Sequence, residues 1–577
     1  MERSASSILL AGRTRTSKRR TAIRIGWAAV LCLAAGPALS QPYKSVDGLP
    51  FYLVQPLYSA GADVNRFLEQ ATFGPSDALI AHVQAVGLEG YLQEQFAAPA
   101  STYPNLPEQP DNSSVGCPAG SPTTCLRDNY SMFPLQVQFF KNALSGQDQV
   151  RQRVALALHE ILVVSGVKIR QPSEISPYLN MLQQDAFANY RQILADLTLN
   201  PAMGHYLDMV NNDAPVPNSS ISPNENYARE VLQLFSIGVS QLQPDGTVVL
   251  DGSGQPVPTY VQDTIEDFAH VFTGWTYAPL SGASLLKHDP SNFLAPMVLY
   301  RNSAGKDTNH DKGVKILLSY PGSVNSTLPA NQDGDTDLTG ALDNIFHHPN
   351  VGPFIGKQLI QHLVTSNPSP AYVSRVAAAF DDNGAGVRGD MKAVVQAVLT
   401  DSEARGSVKT DPGYGHLREP VLFITNVLRA FNATTDGELA GQANAMGQDL
   451  FNSPNVFSYY PHQYLVPGTT SQGPEFGIQD SSSAEARLNF VNALTSTGIK
   501  TADGGTTVDL TSLQPLAGNP ALLVDRLNQL LLHGTMSAAM VSDVMSAVSA
   551  VPSTNALLRV QTAVYLVAGS SQYQVER

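Results

Sequence analysis

The segment Ser222-Pro223-Asn224-Glu225-Asn226-Tyr227-Ala228-Arg229-Glu230-Val231-Leu232-Gln233-Leu234-Phe235 decides how this chain reads. Six hydrogen-bonding or charged side chains crowd residues 224–230, and an apolar run follows. Ser222, Pro223 and Glu225 match an N-terminal capping box, with Ser222 as N-cap, Pro223 at N1 and Glu225 at N3, so a helix is expected over Pro223 to Ile237. At about 100° per residue, Tyr227, Ala228, Val231, Leu234 and Phe235 share one face, with Asn224 on it and Glu230 at its border. Glu225 and Arg229, four residues apart, fall on the other side as a helix-surface pair.

Outward from this segment, helical periodicity dominates wherever Gly and Pro do not interrupt. It covers Asp63 to Thr72, Asp148 to Ser165, Tyr190 to Leu199, Val351 to Ser366, Pro370 to Phe380, Arg418 to Phe431 and Pro520 to His533, among others. Strand-like patches are few: Thr247 to Leu250, Met297 to Tyr300 and Val314 to Leu318, the last two expected as arms of one hairpin. The expected class is mainly α: one large helical domain over residues 62–577 with irregular loop insertions and a small β-hairpin. A split near Pro412 is the alternative.

The first forty residues hold seven Lys or Arg and one Glu, then an apolar stretch from Ile25 to Ala38 and a small-residue site ending at Ser40 before Gln41. This is the pattern of a cleavable signal peptide over 1–40, followed by an N-terminal extension over 41–61. The apolar stretch falls short of the roughly 20 residues that span a bilayer. The mature chain is therefore expected in the periplasm or medium, with no stable membrane span. It keeps 28 basic against 48 acidic residues, about −20, which disfavours nucleic acid as a partner. Of three cysteines, Cys32 leaves with the signal. Cys117 and Cys125 then close a short Gly-, Pro- and Ser-rich loop, and a disulfide is expected in an oxidising compartment.

Several further segments join the central one in a family pattern. They are Arg66 to Pro75, Pro223 to Glu230, Phe272-Thr273-Gly274-Trp275, His310-Asp311 with Lys315, His348 to Phe354, Arg418-Glu419-Pro420, Ser453 to Phe457 and Ser571 to Val575. From about residue 62 to the C-terminus the chain resembles the bacterial family catalogued as domain of unknown function 1800. The resemblance implies an exported, largely helical bacterial protein. It also implies a partner, since such proteins are often encoded beside a second exported family related to alkaline phosphatases and sulfatases. It assigns no catalytic residue.

The chemistry expected from the residues is carboxylate acid/base work on an extracytoplasmic polymer such as a glycan, by hydrolysis or lysis. Glu230 or Glu225 would be the acid/base, with Arg229 and Asn226 orienting. Asn224, Trp275, His310, Asp311 and Lys315 are the candidate substrate-binding residues, Trp275 as a sugar platform. The rival reading is a non-catalytic binding or assembly protein in which the same motif is a structural lock.

Other constellations carry less. On the helix from Asp148, His159 shares a stripe with Arg151 and reads as a core histidine, while Arg153 and Glu160 project from the opposite side. Asn331, Asp333, Asp335 and Asp337 alternate like a calcium loop but lack Gly and Glu at the required places, so they read as an acidic loop capping the next helix. Gly384 to Gly389 spells GxGxxG after a helix rather than a strand, which rules against dinucleotide binding. No metal site and no cofactor are expected.

Overall fold

Proline and asparagine set many of the helix starts. Pro370 occupies the first turn of the helix Pro370–Asp381 while the Ser369 side chain accepts from the Tyr372 amide, and Asn200 caps Pro201–Tyr206 in the same way. The computed structural model describes residues 62–216, 222–406, 411 and 413–577. The expected signal peptide, its cleavage site, the 41–61 extension and Pro412 lie outside these. The described residues hold 23 α-helices and four two-stranded antiparallel sheets, so the fold is mainly α. They belong to one compact unit. None of these helices is long and apolar enough to cross a membrane. Cys117 and Cys125 are joined by a disulfide.

The helix Gln149–Ile161 has almost no outward face: every residue but Arg151 is buried. Arg153 and Glu160, expected to project outward, are therefore core residues and must find partners there. The helices Val351–Leu363, Pro370–Asp381 and Met391–Thr400 pack in succession, and Val351–Leu363 also lies against Gln149–Ile161.

The ends of the described chain meet in a buried charge network. Arg418 donates to Glu69 Oε2 at 2.6 Å, to Glu576 Oε2 at 3.1 Å and to the Tyr573 carbonyl at 2.8 Å. His533 lies 2.8 Å from Glu69, and Arg487 donates to the Arg418 carbonyl at 2.7 Å. The strand His416–Leu417 pairs antiparallel with Val575–Glu576. Gly415, at φ +106°, passes so close that a Cβ there would sit 2.0 Å from the Glu576 carbonyl oxygen.

Two local expectations are corrected. The central helix runs Asn226–Gln233, and Ser222 does not cap it. The Asn212 side chain accepts from the Asn224 amide at 2.8 Å and holds that residue outside the helix, so Asn224 Oδ1 instead receives the Asn226 amide at 2.8 Å. Glu225 turns away to Arg229 Nη2 and Gln262 Nε2, each at 2.9 Å. The expected hairpin is also absent: Val298–Leu299 pairs with Trp275–Thr276, and Lys315–Ile316 with Thr327–Leu328. Longer loops separate these partners than a tight hairpin would use.

A second buried network joins the strand Lys315–Ile316 to the helix Gly334–Phe346. Asp337 Oδ2 accepts from Lys315 at 2.7 Å and meets His310 Nε2 at 3.0 Å, with all three side chains essentially inaccessible. Asp311 faces His270 at 3.3 Å and Lys315 at 3.6 Å and accepts from the Gly313 amide at 2.8 Å. Burial pushes the Asp311 carboxyl up, but His270, the Gly313 amide and Lys315 outweigh it and hold the group at about 2, below its ordinary 3.8.

Two outcomes are expected. Arg418→Ala leaves Glu69 and Glu576 buried without their shared guanidinium and should cost about 3–5 kcal/mol in chemical denaturation, whereas a loss under about 1 kcal/mol would contradict the network's role. Because the folded Asp311 carboxyl titrates below its unfolded value, its stabilisation is present above pH 3.8 and lost as pH falls towards 2. The stability gap between wild type and Asp311→Asn should therefore shrink across that window, and stability curves that stay parallel there would refute the assignment.

Candidate functional site

Glu160 lies near the end of the buried helix Gln149–Ile161, and His362 near the end of Val351–Leu363. Glu419 stands just ahead of Pro420–Ala430, where Pro420 at the first helical position fixes the turn into the helix. The three side chains converge: His362 Nδ1 is 3.3 Å from Glu160 Oε2 and 3.6 Å from Glu419 Oε1. Gln448, fully buried, donates through Nε2 to Glu160 Oε1 at 2.9 Å and to Glu419 Oε2 at 3.0 Å, while its own oxygen receives the Val421 amide at 3.0 Å. One amide thus clamps the outer oxygens of both carboxylates and leaves the inner oxygens facing the imidazole.

The electrostatics follow from that packing. Burial and the neighbouring Glu419 push the Glu160 carboxyl up. Burial also acts on Glu419, but His362 and Arg153 hold its carboxyl low. His362 is raised, because its two carboxylates outweigh the burial that would strip its proton. The Arg153 guanidinium itself donates to the His362 carbonyl oxygen.

Beside the cluster is a cavity of about 30 Å³, enough for one or two waters. Gln361, Tyr460, His462 and Glu475 share its wall with Glu160 and His362, and Val456, Phe457 and Ser458 complete one side. Phe457 is 43% exposed, an aromatic ring open to solvent at the edge of a polar cavity. Gln361 Oε1, Glu419 Oε1 and the Tyr460 hydroxyl are buried and meet no partner at hydrogen-bond geometry. Glu475 accepts from Ser366 Oγ at 2.9 Å and lies 3.4 Å from His416, which is 3.6 Å from Glu576. The cavity wall is therefore continuous with the Arg418 network.

None of the sequence-predicted site residues lines this cavity. Asn224 and Asn226 are exposed, Asn226 donating to Asp208 at 2.9 Å. Glu225 and Arg229 form a partly exposed pair. Glu230 is half-buried with Tyr206 and Tyr260 in its field; burial raises its carboxyl against the pull of Arg229, and its Oε2 has no hydrogen-bond partner. The segment reaches the cavity only through Leu234. His310, Asp311 and Lys315 come together in the buried network around Asp337.

Trp275 is 3% exposed, so it offers no open platform. Its ring borders a separate cavity of about 470 Å³ with Met297, Leu299, Arg191 and Arg301. His159 is a core residue against Phe451 and Tyr178, and burial lowers its imidazole to about 4. Arg151 donates to the Gln183 carbonyl and stacks on Phe187. Asp333 does cap the helix Gly334–Phe346.

Sequence reasoning missed Glu160, His362, Glu419 and Gln448 as a group because they come from distant parts of the chain with no characteristic spacing. The available signal was partial: Arg418-Glu419-Pro420 and Ser453 to Phe457 belong to the family pattern, and both touch this site. No curated protein and no solved structure matches the chain. A family described as protein of unknown function (DUF1800) matches residues 66–575, from the Arg66-to-Glu69 end of the buried network to Val575 beside Glu576, and the chain belongs to that family.

Proposed function

We propose that this is an exported protein that cleaves an extracytoplasmic polymer, a glycan, at the cavity formed by Glu160, His362 and Glu419. The observation that carries the reading is the convergence of two buried carboxylates and an imidazole beside a cavity whose edge bears the exposed Phe457 ring. Phe457 takes the platform role expected of Trp275, because an exposed aromatic face can stack on a sugar ring.

The carboxylates do not straddle a bond. A single buried amide, Gln448, bridges one oxygen of each, so the two carboxylates are held side by side rather than across a scissile bond. They act as one unit from one side of the bound group, polarising a water or hydroxyl that enters the cavity, with Tyr460 and His462 placed to exchange protons at its wall.

Export to the periplasm or medium is part of the same proposal and is supported by the disulfide. The protein recovered from that compartment should show no free thiols before reduction and two after it. Two free thiols at the outset would remove this support. The activity is tested by incubating the mature protein with a panel of bacterial and plant polysaccharides and measuring new reducing ends and unsaturated uronates. Wild type should release products from at least one polymer, and Glu160→Gln should release at least about a hundredfold less at an unchanged fold. Products formed equally by both would move the chemistry elsewhere. No product from any polymer would favour a non-catalytic protein that works with an exported partner.

A further inference from the structure

We infer that Glu160 Oε2, His362 Nδ1 and Glu419 Oε1 are the ligand set of a divalent first-row transition-metal ion. The inference deepens the proposed site by naming its cofactor, and it rests on that site but not on its substrate. The donor atoms all lie within 4.8 Å of one another, and the imidazole nitrogen is 3.3 and 3.6 Å from the two carboxylate oxygens. These separations are long for hydrogen bonds. The two imidazole–carboxylate distances match the spacing of about 3.4 Å between ligands bonded at about 2.1 Å around a tetrahedral ion.

The surrounding groups support the same reading. Gln448 holds the outer oxygen of each carboxylate, so the inner oxygens are aimed at a common point, the orienting role that outer-shell partners play in metal sites. Glu419 Oε1 is buried and accepts no hydrogen bond of good geometry, with His362 and the Tyr460 hydroxyl beside it, and Gln361 Oε1 on the wall is likewise without one. The cavity of about 30 Å³ leaves room for a water in the fourth position, the open coordination site that a catalytic ion needs. An imidazole with two carboxylates suits zinc, manganese or ferrous iron better than calcium or magnesium, which take oxygen ligands. The ion would polarise the entering water, which leaves proton exchange to Tyr460 and His462.

The test uses the mature protein stripped with a chelator and then titrated with zinc by calorimetry, in parallel with cobalt addition followed by visible absorption. Wild type should bind one equivalent and give the intense visible bands of a tetrahedral cobalt site. Glu419→Gln should weaken binding at least a hundredfold, and Gln448→Leu by about 10- to 100-fold, each checked for an unchanged circular dichroism spectrum and melting profile. Because a variant can fail to fold, wild type alone is decisive in one direction: if it binds no zinc, the inference is wrong. Zinc bound equally well by Glu419→Gln would also overturn it, placing the ion at a surface histidine. Polymer cleavage by the stripped protein would refute the metal while leaving the proposed function intact. Stoichiometric binding that Glu419→Gln abolishes, without cleavage of any polymer, would support the metal and count against that function.

Discussion

Arg418 is the side chain on which the rest depends. Its guanidinium is buried between Glu69, near the start of the described chain, and Glu576, near its end, and it also holds the Tyr573 carbonyl. Two carboxylates taken out of water need a cation with good geometry, and a planar guanidinium satisfies both at once. The arrangement forces residues hundreds of positions apart into contact, and the close pass at Gly415 leaves no space for a side chain there. Glu419 is the next residue. With Arg418 drawn into the network and Pro420 starting a helix, the Glu419 carboxylate is directed to Glu160 and His362.

The same logic explains the site. A helix buried on nearly every side can carry Glu160 and Arg153 only if the interior supplies partners, and Gln448, His362 and the His362 carbonyl do so. Glu419 Oε1, Gln361 Oε1 and the Tyr460 hydroxyl, on or beside the cavity wall, make no hydrogen bond of good geometry. Elsewhere buried charge is paired directly, as in the contact of Lys315 with Asp337. In the Glu160 cluster the imidazole stands 3.3 and 3.6 Å from its two carboxylates, and a single amide, Gln448, holds the other oxygen of each.

Helix periodicity was legible at long range because burial on one face leaves a period in the sequence. The mainly α class, the helix Tyr190–Leu199 and the start at Pro370 all follow from it. The Cys117–Cys125 pairing follows from proximity along the chain. The start of the central helix was misread, because a tertiary hydrogen bond from Asn212 competes with the local cap and no local pattern records it. The hairpin failed for the same reason, since strand partners were chosen by tertiary packing rather than by neighbouring position. The site was invisible at the level of spacing: Glu160 and His362 lie on separate helices and Glu419 just ahead of a third, and Glu160 sits in a stretch whose polar residues suggested a solvent face that the fold does not have. Arg418-Glu419-Pro420 was visible as a motif, but its division of labour, one charge facing each way, exists only in three dimensions.

The central claim is that one buried amide organises two carboxylates around a common point with a histidine. A crystal structure of the mature chain at a resolution that orients the Gln448 amide tests it most directly. The expected result is Gln448 Nε2 bridging Glu160 Oε1 and Glu419 Oε2, with Glu160 Oε2, Glu419 Oε1 and His362 Nδ1 facing one another. Carboxylates turned apart, with Gln448 bonded elsewhere, would contradict the account.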